Sequence, residues 1–460
     1  MTATFTIDEI LTLDGAVLHG TPENLKYCIS TDSRVIDASS NLYLALKGER
    51  FDGHDFVARA FESGADLAIV DSDCLEAVLN SLSNSEVPLP VVSVPNTLAA
   101  YQGLARLYLR KNRAKVIAIT GSSGKTTTKE MTAAATSARR VHKSMANENN
   151  EIGVPKTILS MPVDSEILIV EMGMRGLGQI AQLAACCSPD IAVITCAGSA
   201  HIELLGSLEN IAKAKCELFA ALDSERGYAI IGDGSEHLLS QARRDFVGHI
   251  EIAPKLEIVR VDSVGTSFKI PGSASPEQEF FVKAHGRVLL EDAWCAVAAA
   301  RAAGLTDCEI ANGLAKFAAV EGRGNALKSS HGATVVDESY NANPDSMRCA
   351  VEAILSHAYP QRAKIVVLGA MAELGDFSEP LHLDLGRWLK DKPISLLVTV
   401  GPIASAIASG AMGANFEIAS VESQDDALHR ILPHLGSDSC VMVKGSHSTN
   451  LDKLVQKILR

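Results

Sequence analysis

No run of apolar residues in this chain approaches the roughly 20 needed to span a bilayer. The N-terminus, MTATFTIDEI, has acids early and neither a basic n-region nor an apolar h-region. It does not read as a signal peptide, and a cytoplasmic location is expected. Long basic runs are missing as well, and the formal net charge is −13. That balance argues against general binding to nucleic acid or anionic membrane, so any phosphate must be held by local features. The ten cysteines contain no CxxC pair. Cys186 and Cys187 are adjacent, but no second pair stands at zinc-site spacing, which makes reduced, space-filling cysteines the expectation. Internal repeats and low-complexity tracts are absent.

What is present is an ordinary globular composition, 47% hydrophobic and 21% charged, which argues against disorder. At about 150 residues per domain, a chain of 460 residues suggests three domains. The first, residues 1–95, mixes short strand-like runs (Asn41 to Leu46, Ala68 to Val70, Val91 to Val94) with Gly and Asp turns. A polar stretch from Asn80 to Pro90 reads there as a surface loop. The second, residues 96–322, opens on a helical segment near Asn96 to Lys111. Apolar strands at Lys115 to Ile119, Glu166 to Val170 and Ile191 to Thr195 then alternate with helix-length segments, the pattern of a parallel sheet with crossover helices. The third, residues 323–460, repeats the alternation with strands at Thr334 to Val336, Lys364 to Leu368, Leu396 to Val400 and Cys440 to Val443. The expected class is α/β: a small N-terminal α/β domain, a central phosphate-loop domain and a C-terminal Rossmann-like domain. No GxGxxG follows the first strand of the third domain, which argues against a dinucleotide site there.

Between a strand and a helix stand Thr120-Gly121-Ser122-Ser123-Gly124-Lys125-Thr126-Thr127. In that setting backbone N–H groups and a helix N-terminus can wrap around phosphates. Lys125 would reach the terminal phosphates and the Thr126 hydroxyl would hold magnesium. The longer pattern GxxxxGK[ST] needs glycine where this chain has Ile119, so the match is to a shorter variant, TGxxGKT.

The segment Ser207 to Leu222 carries an inward stripe of Leu208, Ile211, Ala212, Leu218, Phe219 and Leu222 at helical spacing. Lys215 falls inside that stripe, whereas Lys213 points away. A buried ammonium is costly, so Lys215 must be paired, for instance with Glu171, or chemically altered. Glu171 ends one strand and His201 follows another across a Gly-Ser loop, the end of a parallel sheet where chemistry collects. A carboxylate and an imidazole there could coordinate a cation bridging phosphate oxygens.

These residues resemble the Mur ligases. The resemblance rests on Thr120 to Thr127, Asn147-Glu148-Asn149-Asn150-Glu151-Ile152-Gly153-Val154-Pro155, Glu171-Met172-Gly173, Gly198-Ser199-Ala200-His201 and Ala214-Lys215-Cys216-Glu217. The flanking segments are similar to those of the branch that adds D-alanyl-D-alanine to UDP-N-acetylmuramoyl-tripeptide. Thr31-Asp32-Ser33-Arg34, Lys47-Gly48 and Asp52-Gly53-His54 look like its UDP-recognising domain. Asp337-Glu338-Ser339-Tyr340-Asn341-Ala342-Asn343-Pro344, Met371-Ala372-Glu373-Leu374-Gly375 and Lys444-Gly445-Ser446 look like its C-terminal domain.

The resemblance implies an ATP- and Mg²⁺-dependent, ADP-forming carboxylate–amine ligase of peptidoglycan precursor synthesis, working through an acyl phosphate as a monomer. It implies catalytic Lys125, Glu171, His201 and Lys215, with magnesium on Thr126, Glu171, His201 and a carbamate of Lys215. Thr120 to Thr127, Arg323 and Asp337 would hold nucleotide. Ser33, Arg34, Lys47, Asn150, Tyr340, Asn341, Asn343, Lys444 and Ser446 would hold the two substrates. The chain departs from the family at four places. Thr195-Cys196-Ala197-Gly198 stands for TNIG, Gly369-Ala370-Met371 for GDM, and Asp337-Glu338 for Asp-Asp. Val288-Leu289-Leu290-Glu291-Asp292 stands for HNxxN, whose asparagines lie near adenine in the family. These departures keep two alternatives open: a paralogue joining a different acid and amine, and a non-catalytic nucleotide-binding homologue.

Overall fold

A computed structural model of the chain describes residues 3–36, 41–48, 50–83, 89–200, 202–262, 264–272 and 275–460. It is α/β, as expected, and divides into two compact units. The first comprises Met1–Ile117, Arg139–Met172 and Ala181–Pro189; the second comprises Ala118–Ala138, Gly173–Ile180 and Asp190–Arg460.

In the first unit a six-stranded mixed sheet is built from residues 4–94. Its core strands Leu42–Leu44, Leu67–Asp71 and Val91–Val94 pair in parallel. The expected strand from Asn41 to Leu46 is shorter because Lys47 turns to bridge Asp52, while Leu67–Asp71 extends the expected run by one residue at each end. The loop expected from Asn80 begins later than expected, because helix Leu75–Ser81 includes Asn80 and Ser81; residues 84–88 of that expected loop lie outside the described residues. Helix Thr97–Asn112 follows, capped where Asn96 Oδ1 accepts from the Ala99 N–H at 2.8 Å. Strands Val141–Lys143 and Ile167–Glu171 pair in parallel in the same unit.

Strand Lys115–Thr120 runs from the first unit into the second. At its start the Lys115 N–H donates to the Glu166 carbonyl at 2.9 Å. At its end the Thr120 carbonyl accepts from the Thr195 N–H at 3.0 Å. In the second unit Ile191–Ile194, Tyr228–Ile231 and Ile250–Ile252 continue in parallel. Lys115–Thr120 beyond its first residue and the whole of Ile191–Ile194 are buried, the signature of a parallel sheet covered by helices, while Ile250–Ile252 is only partly buried.

A three-stranded antiparallel sheet, Glu257–Val261, Thr266–Lys269 and Phe280–Val282, was not expected from the sequence. Its first strand is exposed along its whole length and carries an irregularity between Ile258 and Arg260, so it gives no clean alternation to read.

The last sheet has the strand order Asn325–Lys328, Thr334–Glu338, Ser439–Lys444, Ala363–Leu368, Leu396–Val400, Glu417–Val421. Only the first pair is antiparallel. Alternate residues divide between two cores: Val336, Val366, Leu368, Leu397 and Met442 pack into one, Val335, Ile365, Val367, Leu396 and Val441 into the other. This is the expected Rossmann-like sheet, with two further edge strands that short, partly polar sequences concealed.

Candidate active site

The phosphate loop links strand Lys115–Thr120 to helix Lys125–Ala135. Two of its glycines are dictated by geometry. A Cβ on Gly121 would lie 1.8 Å from Thr195 Oγ1, and Gly124 adopts a left-handed φ of 79°. Thr195 Oγ1 donates to the Ser123 carbonyl at 2.5 Å, Ser122 N–H to the Cys196 carbonyl at 3.0 Å, and Ser122 Oγ to the Gly198 carbonyl at 2.9 Å. Ser123 Oγ lies 3.2 Å from Cys196 Sγ. The segment that departs from TNIG therefore still anchors the loop, largely through backbone atoms that a side-chain change leaves in place.

Lys125 Nζ donates to the Gly121 carbonyl at 2.7 Å, folding the lysine back over its own loop. Thr126 and Thr127 are nearly buried in the first turn of the helix, whose N-terminal N–H groups and partial positive charge favour an anion. A cavity opens in front of this turn. Ser122 through Thr127 form one wall; Gly286 to Leu289 and Asp292 form another; Arg323, Glu338, Tyr340, Asn341, Asn343 and Lys444 close it.

Helix Leu208–Ala220 starts at Ser207, whose Oγ accepts from the Asn210 N–H at 3.2 Å. Its inward stripe matches the expectation except at Leu208, which is exposed in the first turn. Lys213 is exposed and Lys215 is 1% exposed. Burial, and then the positive charge of Lys125, pull the Lys215 amine down to about 7, against the opposing Cys196 and Cys216 thiols. Burial thus favours the neutral form of this amine.

Glu171 closes the strand Ile167–Glu171 of the first unit. It is 2% exposed, and its Oε1 accepts from Asn149 Nδ2 at 2.9 Å. Asn150 Oδ1 caps the following helix by accepting from the Gly153 N–H at 2.8 Å. His201 lies outside the described residues. Among the described residues no group of three or more His, Cys, Asp and Glu side chains is placed to hold a metal.

Arg323 stands between Gly322 and Gly324, both at positive φ. Its guanidinium lies over the Tyr340 ring, 4.1 Å from the centroid, and its buried Nε has no hydrogen-bond partner. Asp337 is buried, and its Oδ1 accepts from Ser339 N–H at 3.0 Å and Ser339 Oγ at 2.6 Å. It fixes a turn, while its neighbour Glu338 reaches the cavity and meets Lys444 Nζ at 3.1 Å. Lys444 also donates to the Asn341 carbonyl at 3.0 Å. Asn343 caps helix Pro344–Leu355 through a 2.8 Å bond from the Ser346 N–H. Ser446, away from the cavity wall, accepts from the Ala372 N–H at 2.8 Å.

In the first unit Ser33 is buried and Arg34 is exposed, its guanidinium held on Asp32 by bonds of 2.9 and 2.7 Å. The hydrogen bonds from Arg34 hold the Asp32 carboxyl down at about 2. Lys47 Nζ lies 3.6 Å from Asp52, which in turn holds His54 Nδ1 at 2.5 Å. Motif reading missed the Asp345 carboxylate, which takes the Ser199 N–H at 3.0 Å and hydroxyl at 3.1 Å. It also missed the direct packing of Asp292 on the phosphate loop. Neither had a sequence signal, because both partners are more than a hundred residues away.

No disulfide joins the described cysteines, and no helix among the described residues is long and apolar enough to cross a membrane. Three family models match the chain: Mur ligase family catalytic domain over residues 27–109, Mur ligase middle domain over 119–300, and Mur ligase glutamate ligase domain over 322–447. UDP-N-acetylmuramoyl-tripeptide–D-alanyl-D-alanine ligase of Bacillus subtilis is 34% identical, covering 96% of this chain and 93% of the relative. The enzyme of that name from Escherichia coli K12 is 31% identical, covering 94% and 93%. A crystal structure of MurF from Acinetobacter baumannii superposes with a TM-score of 0.86 at 28% identity, covering 100% of this chain and 99% of that one. MurF ligase from Thermotoga maritima in complex with ADP gives 0.78 at 26% identity, covering 93% and 96%. With relatives above 30% identity matched over nearly their whole length, the chain belongs to the Mur ligase family.

Proposed function

We propose that the chain joins D-alanyl-D-alanine to UDP-N-acetylmuramoyl-tripeptide with conversion of ATP to ADP and phosphate, a step of peptidoglycan precursor synthesis. The observation that carries the chemistry is the phosphate loop, with Lys125 folded over it and a nearly fully buried, readily neutralised Lys215 within reach of the Lys125 charge. The near full-length match to relatives of that activity carries the substrates.

In this reading residues 1–95 hold the UDP moiety, with Ser33, Arg34 and Lys47 at its recognition surface. Residues 96–322 hold ATP, and residues 323–460 hold the incoming amine, with Tyr340, Asn341, Asn343, Lys444 and Ser446 nearby. Asn150 is assigned to the nucleotide-linked peptide. A peptide carboxylate oxygen attacks the γ-phosphorus of ATP, ADP departs, and an acyl phosphate forms. The D-alanyl-D-alanine amine then attacks the acyl carbon, phosphate leaves with its C–O electron pair, and the amine loses a proton.

Lys125 and the helix N-terminus neutralise charge on the transferring group, and the unpartnered Arg323 Nε supplies a further donor to nucleotide phosphate. Oxygen ligands suit Mg²⁺, and Thr126 and a carbamate on Lys215 would provide them; the assignment of Glu171 and His201 to metal rests on the resemblance to the Mur ligases alone. Magnesium bound there would shield the charge on the phosphate oxygens. Carbamate formation needs an amine without its proton, which is the condition that burial creates at Lys215. It converts a buried cation into an anion suited to a divalent ion.

The test is an omission experiment with purified chain, ATP, Mg²⁺, UDP-N-acetylmuramoyl-tripeptide and D-alanyl-D-alanine, read by mass spectrometry of the product and by phosphate release. A UDP-muramoyl-pentapeptide that appears only in the complete mixture supports the assignment. Phosphate release with no pentapeptide across a panel of UDP-muramoyl peptides and dipeptides overturns it in favour of a different acid and amine.

A further inference from the structure

Helix Arg287–Ala302 begins at the cavity wall, and Asp292, in its second turn, is 3% exposed. Asp292 Oδ1 accepts from Thr128 Oγ1 at 3.0 Å. The same oxygen lies 2.3 Å from where a Cβ on Gly124 would stand. The carboxyl is thus wedged between the left-handed turn that opens the loop helix and a hydroxyl on that helix. An ionised carboxylate there would repel the polyphosphate that the adjacent loop has to accept and would compete with it for the positive end of the same helix.

The surroundings hold that charge off. Burial pushes Asp292 up to about 8; the Thr128 hydrogen bond opposes this, Glu291 adds to it, Arg323 opposes it and Glu338 adds again. On its own helix, Cys295 is a buried thiol raised well above its ordinary value, and Arg287 is engaged with Glu291 at 2.9 Å. On the loop helix, buried Lys129 is engaged with Glu130 at 3.4 Å. Asp233, beyond strand Tyr228–Ile231, and Cys349, on helix Pro344–Leu355, act on the Arg287–Glu291 pair. Asp307, heading the adjacent helix Asp307–Leu314, is engaged with Arg301 at 2.7 Å.

We propose that Asp292 is a positioning residue that works as an undissociated carboxylic acid, bracing the Gly124 turn against Thr128 while keeping negative charge away from the phosphates. Ionisation of Asp292 and occupation of the loop by polyphosphate are then mutually opposed, so each shifts the other by the same free energy. The inference rests on the reading of this cavity as the nucleotide site and adds to it a residue outside the phosphate loop.

The test is ADP binding by the full-length chain with Mg²⁺, measured by calorimetry from pH 7.5 to 9.5, a range in which the ADP phosphates are already ionised. Affinity of the native chain falls about twentyfold across that range, following the shrinking fraction of neutral Asp292. Asp292→Asn keeps the shape and hydrogen-bonding capacity without the charge, and its affinity stays level or falls far less. The two chains differ at Asp292 alone, so the difference between their profiles isolates that carboxyl. Asp292→Leu, which removes the brace as well, binds more weakly at every pH with no step near 8. A level profile in the native chain, or an Asn variant that falls in parallel with it, overturns the inference. ADP binding by neither chain at any pH overturns it together with the nucleotide reading.

Discussion

Two walls of one cavity are built on different principles. The loop wall, Ser122 to Thr127, presents backbone N–H groups, a helix N-terminus and one lysine folded back onto the Gly121 carbonyl. The facing wall, Gly286 to Asp292, presents side chains: apolar Val288 and Leu289, and a buried carboxyl. A wall made of backbone fixes its glycines, because Gly121 and Gly124 have no room for a Cβ. A wall made of side chains can change as long as its contacts are remade. Asp292 does so by taking Thr128 as its partner. The phosphate wall therefore keeps the family pattern where the facing wall has moved away from it.

The sharpest way to break this contrast is at Lys125. Lys125→Ala removes the one side-chain charge of the loop wall, and ligation is expected to fall about 10³-fold while the melting temperature hardly moves. A drop below tenfold would mean that the loop does not carry the transferred phosphate.

Lys215→Met comes next, with turnover reduced at least about 10²-fold and stability increased. The sign follows from the lowered amine. In the unfolded chain it keeps its proton up to about 10.4, whereas the folded chain resists protonation until about 7. The penalty on folding is thus absent above the unfolded value and grows as pH falls to 7. Melting curves should show the variant gaining more over the native chain at pH 7 than at pH 10, and an equal gain at both would refute the account of Lys215.

Gly124→Ala sharpens the contrast between walls directly. The left-handed turn and the collision with Asp292 together cost about 2–3 kcal/mol in denaturant unfolding. Pairing it with Asp292→Ala should recover part of that loss, a non-additivity that identifies the contact. The smallest effect is expected at Arg34, whose exposed pair with Asp32 is screened by solvent. Arg34→Ala should leave the melting temperature in place and raise KM for the UDP-linked substrate alone.

The same contrast explains what the sequence showed and what it hid. Strand–loop–helix order, the two glycines and Lys125 are contiguous, so the loop was readable as a phosphate site. Lys215 was readable from helical periodicity, because one cation in an apolar stripe stands out in any buried helix. The parallel strands were readable from their β-branched runs, with ends misjudged by a residue or two where a polar residue such as Thr120 or Glu338 still pairs. The exposed strand Glu257–Val261 and the edge strands Asn325–Lys328 and Glu417–Val421 lacked that pattern. Asp292 was visible only as a departure at the head of a helix; its meaning comes from Gly124 and Thr128, which fold onto it from across the chain. Contacts of that kind leave no local trace.

The most direct measurement follows oxygen. With both oxygens of the accepting peptide carboxylate labelled with ¹⁸O, a single turnover with ATP and D-alanyl-D-alanine should release inorganic phosphate carrying one ¹⁸O, because the carboxylate oxygen that attacked phosphorus leaves with it. Unlabelled phosphate accompanying pentapeptide formation would contradict phosphoryl transfer to the carboxylate, and with it the role given to the loop, Lys125 and Lys215.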